Sequence, residues 1–134
     1  MIKAIYKVIN PSEQLVLFYR LYSWLYNTRI TRPLSYLLYM IVRIVYSSDI
    51  HPASKIGKGL SIRHHFGIVI GKNAVIGNDV IIYNDVSIGQ LNVDDSCMPV
   101  IGSNSIIYKG AVIVGNVTLP ENTIISANKL VKPS

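Results

Sequence analysis

From Ile50 onward an aliphatic residue returns every six positions. The series runs Ile50, Ile56 and Ile62, then Ile70, Ile76, Ile82 and Ile88, then Ile101, Ile107, Ile113, Leu119, Ile125 and Val131. Four residues after most of these stands a small or β-branched residue: Ser54, Ala74, Val80, Val86, Ser105, Ala111, Val117 and Thr123. Glycine often follows the aliphatic residue directly, as at Gly57, Gly71, Gly77, Gly89 and Gly102. A period of six suits neither an amphipathic helix nor an alternating strand. It is the signature of a parallel β-helix, in which each repeat is one short strand and one turn. The hexapeptides become the sides of a triangular prism. The aliphatic residue points into a narrow interior, and the small residue four places on also faces inward, where there is no room for more. Asn73, Asn78, Asn84 and Asn104 fall at corners, where positive φ is tolerated. Three sides make a coil of about eighteen residues, so the segment holds roughly four to five coils. A sandwich of short strands would need wider and less uniform spacing.

The ruler breaks twice. Ile62 to Ile70 is a step of eight, and Ile88 to Ile101 a step of thirteen. Insertions in a solenoid loop out on one face, which is often the binding face. The first contains His64, His65, Phe66 and Gly67. The second spans 90–99 and contains Asp94, Asp95, Cys97 and Met98. Polar residues with chemical potential therefore collect where the structural rule relaxes.

Residues 1–48 read as a separate helical region ahead of a solenoid domain at 49–134. Asn10-Pro11-Ser12-Glu13 is a helix start, with Asn as N-cap, Pro at N1 and Glu at N3 to complete a capping box. That helix is expected to run to about Asn27, and a second to run from Thr31-Arg32-Pro33 to about Tyr46. The longest apolar run, 34–42, is far short of a bilayer span. The apolar faces carrying Leu15, Phe18, Tyr22 and Leu25, and Leu37, Ile41 and Ile44, need cover. Two readings stay open: packing on the solenoid and neighbouring subunits, or peripheral contact with a membrane surface. Lys3, Lys7, Arg20, Arg29, Arg32 and Arg43 face Glu13 alone in this region, out of a net charge of +6 for the 134 residues. That basic balance is too diffuse for nucleic-acid binding, and no base-reading motif accompanies it. One cysteine rules out an internal disulfide framework and suits a reducing cytoplasm. No stretch near the N-terminus reads as a secretory signal. The expected location is therefore cytoplasmic, with the inner membrane face as the site of any peripheral contact.

The run Asp49-Ile50-His51-Pro52-Ala53-Ser54-Lys55-Ile56-Gly57-Lys58-Gly59, then His64, then Gly67-Ile68-Val69-Ile70-Gly71, resembles the catalytic half of serine O-acetyltransferases. It is also similar to the related sugar O-acetyltransferases of bacterial surface-polysaccharide pathways. The resemblance covers residues 49–128. It implies a left-handed coil, a hand that periodicity alone does not supply. It also implies a homotrimer with active sites in the clefts between subunits, and acetyl-CoA as donor. By position, His64 matches the catalytic histidine, a general base for the acceptor hydroxyl, and Asp49 matches the carboxylate that holds its imidazole. His51 reads as structural. Gly89 matches a glycine beside the cleft whose N–H could steady an oxyanion. Lys109, Gly110 and Ala111 match a stretch along the pantetheine arm, and Lys129 or Lys132 could meet CoA phosphates. Relatives usually continue through a Gly-x-Pro-Ala segment that closes the CoA site. The present sequence stops at Ser134 without that segment, which bears against a high affinity for CoA.

The departures bear on the acceptor. Where serine acetyltransferases place an acidic residue before the histidine, this chain has Arg63. Where they place Arg-His-Pro in the long loop, it has Cys97-Met98-Pro99. Free serine brings an ammonium and a carboxylate, and an unpaired buried charge is costly. Arg63, His65 and Met98 are therefore expected at a different acceptor site. The favoured expectation is transfer of acetyl to a hydroxyl of a sugar or glycan precursor in surface-polysaccharide biosynthesis. The alternatives are serine O-acetylation for cysteine biosynthesis, or a non-catalytic hexapeptide-repeat protein. No metal site is expected, because a zinc centre needs about three converging ligands and the histidines lack that spacing. Cys97 is not needed as an acyl carrier, since direct transfer forms no covalent enzyme intermediate.

Overall fold

The computed structural model describes the whole chain, Met1–Ser134. Three helices come first: α1 (Ile2–Ile9), α2 (Pro11–Tyr26) and α3 (Arg32–Tyr46). The six-residue ruler then becomes short strands. The first coil is β1 (Asp49–Ile50), β2 (Lys55–Ile56) and β3 (Ser61–Ile62). The second is β4 (Val69–Ile70), β5 (Val75–Ile76) and β6 (Ile81–Ile82). The third is β7 (Ser87–Gly89), β8 (Val100–Ile101) and β9 (Ile106–Ile107), and the fourth β10 (Val112–Val114), β11 (Thr118–Leu119) and β12 (Ile124–Ile125). A fifth opens with β13 (Leu130–Val131).

These strands form the three faces of a parallel β-helix. The first face is β1-β4-β7-β10-β13, the second β2-β5-β8-β11 and the third β3-β6-β9-β12. Register is strict. Ile50 lies opposite Ile70, Ile70 opposite Ile88 and Ile88 opposite Ile113, so each inward aliphatic residue stacks on its counterpart. All four are fully buried, and burying one such side chain contributes about 1.5–3 kcal/mol.

Two details differ from expectation. Asn73 and Asn104 do adopt positive φ, but at the other two corners the left-handed residues are Asp79 and Asp85 rather than Asn78 and Asn84. The left-handed position is the third after the inward aliphatic residue, immediately before the inward small one. Asn78 and Asn84 stand one place too early for it. The inward fourth position also accepts larger residues in the first coil and the turn that follows it. Leu60 and Ile68 occupy it there and join Leu15, Tyr19 and Tyr22 of α2 in one buried cluster.

The end of the prism explains that exception. In the second coil the carbonyls of Ile70, Ala74 and Ile76 accept N–H groups from the first coil. No earlier coil exists to serve the matching carbonyls of Ile50, Ser54 and Ile56. Side chains of α2 take that part. The Tyr22 hydroxyl donates to Ile50 O at 2.6 Å, the Tyr19 hydroxyl to Ser54 O at 2.8 Å, and Arg20 to Ile56 O at 2.6 Å and to Gly57 O. Ser23 donates to Pro52 O at 2.9 Å. The helix thus covers an edge that would otherwise present unpaired backbone.

Packing on the solenoid therefore accounts for one apolar face of the helices. Leu15, Tyr22 and Leu25 are buried and Phe18 is half-buried. Leu37, Ile41 and Ile44 of α3 instead point outward and are exposed. Ser35 and Tyr39 of α3 hold it against α2, through a bond from Ser35 Oγ to Tyr22 O at 2.6 Å and a ring contact between Tyr39 and Tyr22. The start of α2 is as expected in part. Asn10 Oδ1 accepts from the Ser12 N–H at 2.9 Å. The capping box does not close through Glu13, because the Asn10 N–H already donates to Tyr6 O at the end of α1. No helix is long and apolar enough to cross a membrane.

The cap makes a measurable prediction. Tyr22→Phe keeps the ring and strips the buried Ile50 carbonyl of its donor, so it should cost about 1–3 kcal/mol of unfolding free energy in urea. Ser23→Ala, at a wetter site, should cost less. A Tyr22→Phe protein as stable as the parent would show that α2 does not serve as a substitute coil.

Candidate active site

The prism has edges, and the expected site residues divide between two of them. Where the third face turns into the first, each coil contributes in register. Ile62, Ile82 and Ile107 lie opposite one another, so Arg63, Tyr83 and Tyr108 follow one below the next. His64 stands beside Arg63 on the first insertion, and Lys109 and Gly110 follow Tyr108. Lys129 lies at the same edge one coil on. Where the first face turns into the second, Gly89 ends β7 and the 90–99 loop leaves the prism, with Met98 near its end.

His64 is solvent-exposed in the single chain, and its ring centroid lies 6.4 Å from that of Tyr83. Tyr83 in turn stacks on Tyr108 at 5.0 Å with planes 26° apart. The two tyrosines escaped the sequence reading, although the ruler carries a signal for them. The position after the inward aliphatic residue holds glycine three times on the second face and twice on the first. On the third face it holds Arg63, Tyr83, Tyr108 and Ser126. Large side chains there line the edge that carries His64.

Asp49 is not joined to His64 by a hydrogen bond. Its carboxylate accepts from the Tyr39 hydroxyl and lies 3.4 Å from Arg43 Nη2. Burial, then the bond to Asp49 and its charge, push the Tyr39 hydroxyl well above its ordinary pKa. A small groove of about 190 Å³ opens over Asp49, lined by Arg43, Ser47, Ser48, Gly67, Ile68 and Val69. Both partners of Asp49 come from α3, one helical turn apart, a link that only the docked helix reveals.

The remaining histidines have structural surroundings. His51 Nδ1 accepts the Ala53 N–H at 3.0 Å, and its ring packs among Tyr26, Tyr36 and Tyr39. Burial first, and the charge of Lys72 second, lower its pKa. The His65 ring lies 4.0 Å from Phe66 and edge-on to Tyr46, so it turns back toward α3. Its pKa is lowered by burial and by the neighbouring His64.

On the other edge, Met98 packs over Gly71: a Cβ added there would meet Met98 Cε at 2.6 Å. Met98 and Gln90 help to line a cleft of about 370 Å³ with Gly71, Lys72, Asn73 and Ser96. Gly89 faces open space. Cys97 is exposed, and the hydrogen bond its thiol donates to the Asp95 carboxylate raises its pKa, the wrong direction for a nucleophilic thiolate. The donor-site candidates fare unevenly. Lys109 and Lys129 are exposed on the His64 edge. Gly110 has φ +71°, so a structural reason for glycine exists at that turn. Ala111 is fully buried inside the prism, with its N–H bonded to Tyr108 O and its carbonyl to Ser87 N. Its side chain therefore cannot touch a cofactor, because the four-residue spacing that makes it small also turns it inward.

No cleft of the single chain is lined by His64. The two groups of residues leave the prism at different edges.

No protein-family model matches the chain. Against known proteins it is 38% identical over 114 residues to the serine acetyltransferase of Escherichia coli, covering 84% of this chain and 41% of that one. Among solved structures, a serine acetyltransferase from Brucella abortus in complex with coenzyme A aligns with a TM-score of 0.87 at 28% identity, over 95% of this chain and 53% of that one. Soybean serine acetyltransferase complexed with serine aligns at 0.83 and 33% identity, over 93% of this chain and 53% of that one. The chain spans half the length or less of the curated relatives it matches. It is similar to serine acetyltransferases of the hexapeptide-repeat kind, and it shares their left-handed parallel β-helix.

The lowered histidines predict a pH effect on stability. Both are held neutral by the fold, so the unfolded chain takes up protons more readily than the folded one. Their contribution is intact above the ordinary histidine pKa of about 6.5 and fades as pH falls below it through the folded values. The urea midpoint should therefore drop between pH 7.5 and pH 5. His51→Asn keeps an acceptor for the Ala53 N–H and removes the titration, so its profile should be flatter. An unchanged slope in that variant would exclude His51 as a source.

Proposed function

We propose that this chain is an acetyl-CoA-dependent O-acetyltransferase that works as a homotrimer, with His64 as general base in clefts between copies. One observation carries the reading. In a fold that aligns with a CoA-bound relative over 95% of its length, His64 stands on an inserted loop at the edge shared by Lys109, Gly110 and Lys129. The 90–99 loop of the neighbouring copy would overhang that edge.

The chemistry follows from pKa values. An alcohol is a poor nucleophile toward a thioester until its proton is removed. The neutral imidazole of His64 takes that proton as the acceptor oxygen attacks the acetyl carbonyl. A backbone N–H, for which Gly89 of the adjoining edge is the candidate, faces the oxyanion that develops. Collapse expels the CoA thiolate, which recovers the proton from the imidazolium. Asp49 serves the base by orienting it once the cleft is closed. In the single chain Tyr39 and Arg43 hold that carboxylate in place. Lys109 and Lys129 are the cations available to the phosphates of CoA.

Serine is the acceptor that the comparisons support, since the relatives are serine acetyltransferases and one aligned structure holds serine. They lend no support to the expectation of a glycan acceptor. That second reading rests on this chain's own residues. Arg63 occupies the place beside His64 where the ammonium of serine would need an acid. Met98, packed on Gly71, brings no charge for its carboxylate. The stacked Tyr83 and Tyr108 offer a flat apolar surface of the kind a sugar ring can lie against.

Thiol release from acetyl-CoA tests both parts. His64→Ala should lower the rate at least about a hundredfold, within the range general-base catalysis contributes. Equal turnover in that variant would end the mechanism. Offered serine and, separately, nucleotide-linked, lipid-linked and polymeric sugars, the enzyme should show its acceptor directly. Efficient serine acetylation establishes the first reading, and turnover confined to a sugar establishes the second.

A further inference from the structure

We infer that the helical cap is a docking surface for an anionic membrane, with α1 and the outward faces of α2 and α3 lying against the lipid. The surface is apolar to a degree that neither the fold nor the site explains. Helix α1 buries none of its residues. It carries Ile2, Ile5, Tyr6 and Ile9 at helical spacing, with Lys3 and Lys7 on its other side. Leu17, Leu21 and Trp24 form an exposed stripe on α2. On α3, Leu34, Leu37, Ile41 and Ile44 do the same, with Met40 and Val45 widening the stripe. That face is broader than the seam of two positions per heptad that a pairing helix needs.

Charge selects the occupant. The helical region holds six of the thirteen basic residues and only Glu13 among the acids, which leaves five of the six net positive charges in it. Arg20 is committed to carbonyls of the first coil and Arg43 to Asp49. Lys3, Lys7 and Arg29 are exposed and have no acidic partner. Exposed apolar rows with flanking lysines, a surface tryptophan and tyrosines are the composition of an interfacial helix on anionic lipid. The surface also lies at the end of the prism, as α2 covers the first coil. In the proposed trimer the three prisms run alongside one another, so three caps face one plane. Weak single contacts then add as avidity.

Trp24, the only tryptophan, is 69% exposed on this surface and reports on it directly. The full chain should sediment with vesicles of phosphatidylcholine mixed with phosphatidylglycerol and not with phosphatidylcholine alone. Trp24 emission should shift to the blue on binding, and added salt should reverse it. Lys3→Glu with Lys7→Glu should lower vesicle partitioning at least about tenfold, since each cation near such a surface contributes about 1 kcal/mol. Thiol release with a soluble acceptor should stay at the parent level, because neither lysine belongs to the His64 site. Binding that ignores lipid charge, or that survives the double reversal, overturns the inference. So does burial of Trp24 without vesicles together with a doubled mass by light scattering, which would make this face a contact between copies. His64-dependent turnover in the same preparations is read separately, so loss of docking and loss of the catalytic reading are distinguishable.

Discussion

Coil-on-coil register is the constraint on which the rest of this structure depends. An interior only one aliphatic side chain wide has no slack. Ile50, Ile70, Ile88 and Ile113 can stack only if the backbone bonds between coils fix each strand directly beneath the last. The same bonds create the problem of the ends. A coil with no predecessor presents carbonyls with no donor, and the chain answers with hydroxyls and a guanidinium from α2 rather than with another strand. The helices are thus joined to the solenoid by hydrogen bonds that copy its own pattern.

Register also decides where chemistry can sit. Inside the prism there is room only for aliphatic and small residues, and the faces are committed to pairing. Variation is left to the edges, and the insertions fall at two different ones. His64 therefore shares an edge with Tyr83, Tyr108 and Lys109, whereas Gly89 and Met98 stand at another. A prism with triangular section offers its edges to neighbours, and a cyclic arrangement brings one kind of edge against the other in every interface.

Much of this was legible in the residues. The ruler predicts the strands, their inward side and the number of coils, because a six-residue period has a single physical reading. The start of α2 at Pro11 follows from the Asn10 cap and from proline at the first turn. Three features were not legible, each for a physical reason. The left-handed corners at Asp79 and Asp85 depend on counting from the inward residue rather than on residue type. The capping box failed because α1 had already taken the Asn10 N–H. The partners of Asp49 are tertiary, since no local pattern shows that Tyr39 and Arg43 dock beside β1. Ala111 is the converse case: a match by position sets it along the pantetheine arm, yet its side chain is buried inside the prism.

In the proposed mechanism a working site needs the His64 edge of one copy and the 90–99 loop of another. Complementation tests it most directly. Two inactive chains, one with His64→Ala and one with residues 91–97 replaced by a Gly-Ser linker, would be co-purified through separate tags and assayed for thiol release. In a cyclic trimer that contains both chains, one interface in three pairs an intact histidine with an intact loop. The mixture should therefore recover about that share of parent activity. A co-purified complex as inactive as either chain alone would contradict a site shared between copies.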